Sequence, residues 1–266
     1  MSKIRITDLK NMKKKAEKIS MITAYDASIS SIVDEAGIDV VLVGDSLGNV
    51  IQGLGDTLAV TMDQMVYHML MVSRGVSNAH VSCDMPFMSY QASVGEAVRN
   101  AGRLVKEGNA ESVKLEINEQ YIDTIHSINK AGIPVISHIG LCPQSIHNIG
   151  GYNVQGRTRE QGQRLLELAK SSEQAGAFLV VLESVPEKLA TKITKSLDIP
   201  TVGIGAGNGC DGQVLVFNDM VGLSPEPIPR FVKKFADSRK IFLDATKQYI
   251  SEVKNRKFPG KNNVYE

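Results

Sequence analysis

Four apolar runs of this chain stop on a carboxylate. "LVGDS" (42–46) reaches Asp45, "HVSCDMP" (80–86) reaches Asp84, "SVKLE" (112–116) ends on Glu116, and "FLVVLES" (178–184) carries Glu183. An ionised carboxylate taken out of water costs several kcal/mol even after the protein relaxes, so four of them at equivalent places in buried strands need an offset. Period two adds Lys114 to the same face as Glu116, while Val113 and Leu115 point the other way. Four anions and one ammonium leave a formal −3, which a divalent cation would bring to −1. Oxygen donors suit a hard ion that keeps waters, so Mg²⁺ leads and Mn²⁺ follows. His138, ending "VISH" in a fifth run, keeps zinc open without forcing it. The competing reading is that each carboxylate caps the helix behind it or pairs with a local Arg or Lys. That reading is preferred for Asp26 in "TAYD", because "DASISSIVDEAG" starts a helix directly after it.

These side chains can meet only if the elements carrying them converge. The chain predicts strands at about 19–25, 39–44, 80–84, 112–116, 134–140, 178–183, 200–205 and 213–217. Helical-period stretches such as "DQMVYHMLMVSRGV", "ASVGEAVRNAGRLVKEG" and "GQRLLELAKSSEQAG" lie between them. The strands are apolar on both faces, which argues a parallel sheet covered on both sides. "EAGID", "KEGNA", "KAGIPV" and "EQAGAF" each put a Gly where a helix ends in a left-handed cap. Eight strands in about 220 residues suit an α/β fold of the closed (β/α)8 TIM barrel type, in a single domain over 1–266. An amphipathic piece near 7–16 is read as an extra N-terminal helix over the barrel's N-terminal end. "IPRFVKKFADSRKIFLDATKQYISEVKN" is read as closing helices. An open doubly wound sheet is the competing architecture. In a barrel the C-terminal strand ends share one mouth, and Asp45, Asp84, Lys114, Glu116 and Glu183 would close on one another there.

Composition narrows the partners. With 42% apolar residues, 22% charged residues and a net charge of +1, nothing points to nucleic acid, an anionic membrane or a disordered tail, so a small molecule is expected. No apolar run approaches the ~18 residues of a membrane span, and "MSKIRITDLKNMKKKAEK" lacks the apolar stretch of a secretory signal; a cytoplasmic protein is expected. Cys83, Cys142 and Cys210 are widely spaced and odd in number, and read as reduced thiols. "GNGCDG" (207–212) matches a dinucleotide-binding pattern, but "QVLVF" behind it reads as a strand instead of the helix that would hold a pyrophosphate, and dinucleotide binding is rejected. Two long segments, "SLGNVIQGLGDTLAVT" and "LCPQSIHNIGGYNVQGRT", fall where βα loops belong; each is either a lid or a packed surface loop. His68, His80 and His126 are read as having no chemistry.

With these residues in place, the chain resembles the ketopantoate hydroxymethyltransferase family, whose members add a one-carbon unit to 3-methyl-2-oxobutanoate on the way to pantothenate. The resemblance is carried in order by "MITAYD", "VLVGDSLG", "CDMPFMSY", "VKLE", "HIGLCPQS", "GGYNVQGR", "VLESVP" and "GIGAGNGCDGQVLVFNDMVG", and spans about 4–255. Cys142 stands where Thr is expected and His147 where Asn is expected. The resemblance implies a homo-oligomer, a homodecamer, with bound Mg²⁺ and 5,10-methylenetetrahydrofolate as co-substrate. It implies Asp45 and Asp84 as metal ligands, with Glu116 as a third ligand or holding a metal water. Ser46 and Lys114 would grip the keto acid, His138 would line its pocket, and Glu183 would accept a proton from C3 to give a metal-stabilised enolate. The competing enzyme class is a Mg²⁺-dependent phosphoenolpyruvate mutase or isocitrate-lyase-like barrel acting on another 2-oxo acid. A non-enzymatic scaffold would be expected to have lost some strand-end carboxylates, and all four are present.

Overall fold

In the computed structural model, which describes residues 3–265, eight parallel strands close into a barrel in sequence order. They are β1 (Ile19–Thr23), β2 (Val40–Val43), β3 (His80–Asp84), β4 (Ser112–Glu116), β5 (Val135–Gly140), β6 (Leu179–Glu183), β7 (Thr201–Ile204) and β8 (Gly212–Leu215), and β8 pairs back onto β1. The helices of this barrel unit are α1 (Ile6–Lys14), α2 (Ala27–Glu35), α3 (Leu47–Val50), α4 (Met62–Gly75), α5 (Val94–Lys106), α6 (Ile122–Lys130), α7 (Ile146–Ile149), α8 (Arg159–Gln174) and α9 (Glu187–Ser196). The open-sheet alternative is excluded by closure. β2, β3 and β4 are buried at every residue and β5 at all but its last, as the unbroken apolar runs require, whereas β8 exposes Gln213.

Local chemistry starts and stops these helices as expected. Asp26 accepts the Ile29 N–H at 2.9 Å at the start of α2, and Thr61 and Thr158 open α4 and α8 with capping boxes closed by Gln64 and Gln161. Gly37, Gly132 and Gly176 take left-handed conformations after α2, α6 and α8. After α5 the expectation fails by one residue: Asn109, at φ 61°, takes the left-handed position. Gly108 is small for a different reason, since a Cβ there would lie 2.7 Å from the Leu104 carbonyl and 2.8 Å from Met69 Cγ.

The inward residues form layers. Ile19, Met21, Val40, Leu42, Ile136, Leu179, Val181, Val202 and Val214 fill one apolar cluster, and α1 closes it by inserting Leu9, which is 0% exposed. The N-terminal helix thus seals the interior, with Ile6 and Met12 packed against the same cluster. Dryness at this end leaves the C-terminal strand ends as the polar layer. The two long loops are partly ordered: α3 lies in the one after β2, and a 3-10 turn (Pro143–Ser145) and α7 lie in the one after β5.

The chain divides into two compact units, with the second beginning at Phe217. In the second unit the expected closing helices reduce to one, α11 (Ser238–Lys254), preceded by a short α10 (Phe217–Met220). Pro225, Pro227 and Pro229 fall between them, where the missing amide hydrogens oppose a continuous helix. α11 buries none of its residues, and Ile241, Phe242, Leu243 and Tyr249 are each more than half exposed. Among the described residues no helix is long and apolar enough to cross a membrane.

Candidate active site

Strand register assembles the site. Asp84 is the ladder partner of Lys114, and Glu116 is the ladder partner of His138. In a parallel barrel such partners share the inner face, so the charges become neighbours without any loop contribution. Lys114 Nζ lies 2.9 Å from Asp84 Oδ1 and 3.3 Å from His138 Nδ1. His138 Nε2 lies 3.2 Å from Glu183 Oε2, and its Nδ1 is 3.8 Å from Glu116 Oε1. Asp45 enters from the turn after β2, where its N–H donates to Asp84 Oδ2 at 3.0 Å. Gly44 keeps that turn tight, because a Cβ there would meet Ser46 Oγ at 2.7 Å. Ser46 shares a 2.9 Å hydrogen bond with the Tyr25 hydroxyl.

Sequence reasoning thus names groups that lie in one continuous polar array from Asp45 through Asp84, Lys114 and His138 to Glu183, with Glu116 beside it. All of them are buried except Glu183, whose side chain is 16% exposed. Burial, and then the Asp84 charge, push the Asp45 carboxyl up to about 7. Burial, and then Asp45, lift Glu116 well above the usual carboxylate range. Burial alone would lower Lys114, but Asp84, Asp45 and Glu116 together outweigh it and hold the ammonium charged. Burial, and then Lys114, push His138 down, so its imidazole is neutral at pH 7. With the ammonium facing Nδ1, the histidine proton belongs on Nε2, toward Glu183.

This donor set fits a small hard cation. Asp84 Oδ1 is buried against the Lys114 ammonium, and burial beside like charges raises Asp45 and Glu116, as in a site short of positive charge. Among the described residues no three His, Cys, Asp or Glu side chains converge on one point, which argues against a three-ligand zinc site. An ion bound by one or two carboxylates, its own waters and substrate oxygens matches Mg²⁺.

Two residues were not singled out in the sequence. Gln144 donates from Nε2 to Asp45 Oδ2 at 2.9 Å, and the Tyr90 hydroxyl lies 2.8 Å from Gln144 Oε1. Both fall inside quoted motifs, but a neutral amide and a phenol in loops carry no charge signal. Of the histidines set aside, His80 is buried at the entry of β3 against Ser112, and His68 bonds the Tyr25 carbonyl. All three cysteines are free and buried.

The strand end of Glu183 depends on a glycine. Gly140, at φ 100°, would place a Cβ 2.3 Å from the Glu183 carbonyl oxygen. Gly140→Ala should therefore lose about 1–3 kcal/mol of stability and lower turnover by displacing Glu183. Urea unfolding beside steady-state rates checks this; unchanged values of both would show that the strand end yields freely.

The family model described as ketopantoate hydroxymethyltransferase matches residues 3–261. The chain is 54% identical over 261 residues to 3-methyl-2-oxobutanoate hydroxymethyltransferase of Clostridium novyi (strain NT), covering 98% of this chain and 95% of that one. It is 52% identical over 263 residues to the enzyme of the same name from Syntrophus aciditrophicus (strain SB), covering 99% and 97%. Among solved structures it resembles a phosphonopyruvate hydrolase complex with oxalate and Mg²⁺, at TM-score 0.64, 11% identity and coverage of 100% and 92%. It also resembles 2,3-dimethylmalate lyase, a member of the PEP mutase/isocitrate lyase superfamily, at TM-score 0.60, 15% identity and coverage of 98% and 91%. At such identities the likeness is one of fold alone, so the lyase alternative has no support beyond architecture.

Proposed function

The chain belongs to the ketopantoate hydroxymethyltransferase family, and from that premise we propose that it transfers a hydroxymethyl group from 5,10-methylenetetrahydrofolate to 3-methyl-2-oxobutanoate. The products are 2-dehydropantoate (ketopantoate) and tetrahydrofolate, in pantothenate biosynthesis, with water supplying the hydroxyl oxygen. The observation that carries this reading is the pairing of a partly open carboxylate, Glu183, with a neutral buried imidazole, His138, 3.2 Å away. Glu183 acts as the base that takes the C3 proton, and His138 fixes one of its oxygens while lining the keto-acid pocket. Ser46 and Lys114 grip the 2-oxo acid, and Lys114 keeps its charge because Asp84 stands 2.9 Å from it. Asp45 and Asp84 would hold Mg²⁺, with Glu116 beside them to accept from a water on the ion. When bound, the ion supplies Lewis-acid stabilisation of the charge that builds on the keto oxygen.

The direct test follows the C3 proton of 3-methyl-2-oxobutanoate by NMR in D₂O with Mg²⁺, and then ketopantoate after methylenetetrahydrofolate is added. Exchange followed by product supports the reading; neither under any condition would sink it. Charge gives a separate check. Because burial and Asp84 push Asp45 up to about 7 in the ion-free protein, Mn²⁺ binding should release about one more proton at pH 6 than at about pH 8.5, beyond any that Glu116 gives up at both. Isothermal titrations in buffers of different ionisation enthalpy count that proton. A count that stays flat as the pH falls would remove Asp45 from the ligand set.

The same reading has the enzyme cytoplasmic and assembled as a homo-oligomer, a homodecamer. The exposed Ile241, Phe242, Leu243 and Tyr249 of α11 support burial against other subunits.

A further inference from the structure

Gln144, at the root of the loop after β5, is 5% exposed and bonded on every polar atom of its side chain. Its Nε2 donates to Asp45 Oδ2 and to the Met85 carbonyl, each at 2.9 Å. Its Oε1 accepts from the Tyr90 hydroxyl at 2.8 Å and from Gln91 Nε2 at 3.1 Å. Its backbone N–H donates to Glu116 Oε2 at 3.0 Å. The amide has one orientation, because turning it over would set donors against donors and acceptors against acceptors. A buried network satisfied throughout is stiff, and it holds whatever it touches.

What it touches is one oxygen of each of two carboxylates. Asp45 Oδ2 and Glu116 Oε2 are occupied by Gln144, and Asp84 Oδ2 is occupied by the Asp45 N–H. Asp45 and Glu116 therefore each have a single oxygen left for a cation, while Asp84 Oδ1 faces the Lys114 ammonium at 2.9 Å. Mg²⁺ and Mn²⁺ accept six donors in near-octahedral array and use carboxylates one oxygen at a time. Ca²⁺ takes six to eight and commonly fills its shell with two-oxygen carboxylates. Resting on the metal reading above, we propose that Gln144 is a positioning residue that sets ion selectivity. By occupying Asp45 Oδ2 with its side-chain amide, while its backbone N–H fixes Glu116 Oε2, it makes Asp45 a one-oxygen donor and turns the site against Ca²⁺.

The test compares Mn²⁺ and Ca²⁺ dissociation constants by calorimetry on the full chain, with Mn²⁺ followed also by EPR. The proteins are the parent, Gln144→Met, Tyr90→Phe and Asp45→Asn, each checked for folding by circular dichroism. The parent should prefer Mn²⁺, and Gln144→Met should reduce the Mn²⁺ to Ca²⁺ preference at least about tenfold. Tyr90→Phe, which removes one donor to the amide, should shift it the same way by less, and it decides the matter if Gln144→Met does not fold. A residue that merely supports the fold would weaken both ions alike and leave the ratio unmoved. A ratio within about twofold of the parent in the folded variants overturns the inference, while Mn²⁺ binding that is present in the parent and lost in Asp45→Asn leaves the metal reading standing. Absence of Mn²⁺ binding in the parent overturns both.

Discussion

Glu183→Gln should still bind 3-methyl-2-oxobutanoate and lose turnover by about 10²- to 10⁴-fold, the span a positioned general base contributes. The substitution keeps the side chain's length and leaves an amide oxygen able to accept from His138 Nε2, now 3.2 Å from the carboxylate. What it removes is the capacity to take a proton. Loss should therefore appear in the proton-transfer step itself, so C3 exchange in D₂O slows together with product formation, while keto-acid binding read by calorimetry changes little. His138 tightens the argument, because a neutral imidazole cannot substitute as the base while its free lone pair faces the Lys114 ammonium at 3.3 Å. Exchange at the parental rate in Glu183→Gln would assign the base elsewhere.

How far this site can be read from the chain depends on what each residue contributes. An apolar run ending in a carboxylate is a signal in one dimension, because the cost of burying that charge demands a partner, and parallel register then supplies the partner's address. Asp84 meets Lys114, and Glu116 meets His138, as direct ladder neighbours. Gln144 and Tyr90 carry no such cost when read singly. Their roles exist only in a network among residues 45, 85, 90, 91, 116 and 144, which three-dimensional packing assembles. The same limit explains the cap after α5, where Gly108 and Asn109 are both plausible left-handed residues and a close contact with Leu104 decides between their uses. It also explains the C-terminal stretch, whose apolar spacing predicts helices. The prolines before α11 limit the pattern to one, and the second unit by itself buries none of that helix's residues. Of the two departures, the Cys142 thiol is buried against the array, 3.8 Å from the His138 carbonyl and pushed up by burial and then by Glu116 and Glu183, while His147 is exposed.

Lys114→Met should be the most damaging substitution to the fold of the ion-free protein. The ammonium is buried at the centre of three carboxylates, with Asp84 2.9 Å away, and those three together hold it charged against the pull of burial. A methionine fills nearly the same volume but returns none of the charge, and removing one partner of a buried pair typically costs about 3–5 kcal/mol because the remaining ion is stranded. Asp45 and Glu116, already pushed upward, would be pushed further and take protons more readily, which relieves part of the loss but leaves buried Asp84 facing an apolar side chain in place of the ammonium. The double variant Lys114→Met with Asp84→Asn removes both ends of the pair and should recover a large share of the stability, since contacting residues do not add independently. Urea midpoints of the parent, the two single variants and the double variant measure that coupling in a chelated buffer. If the single Lys114→Met variant unfolds at the parental midpoint, the carboxylates do not depend on Lys114 for compensation, and the charge balance derived for the site is wrong at its centre.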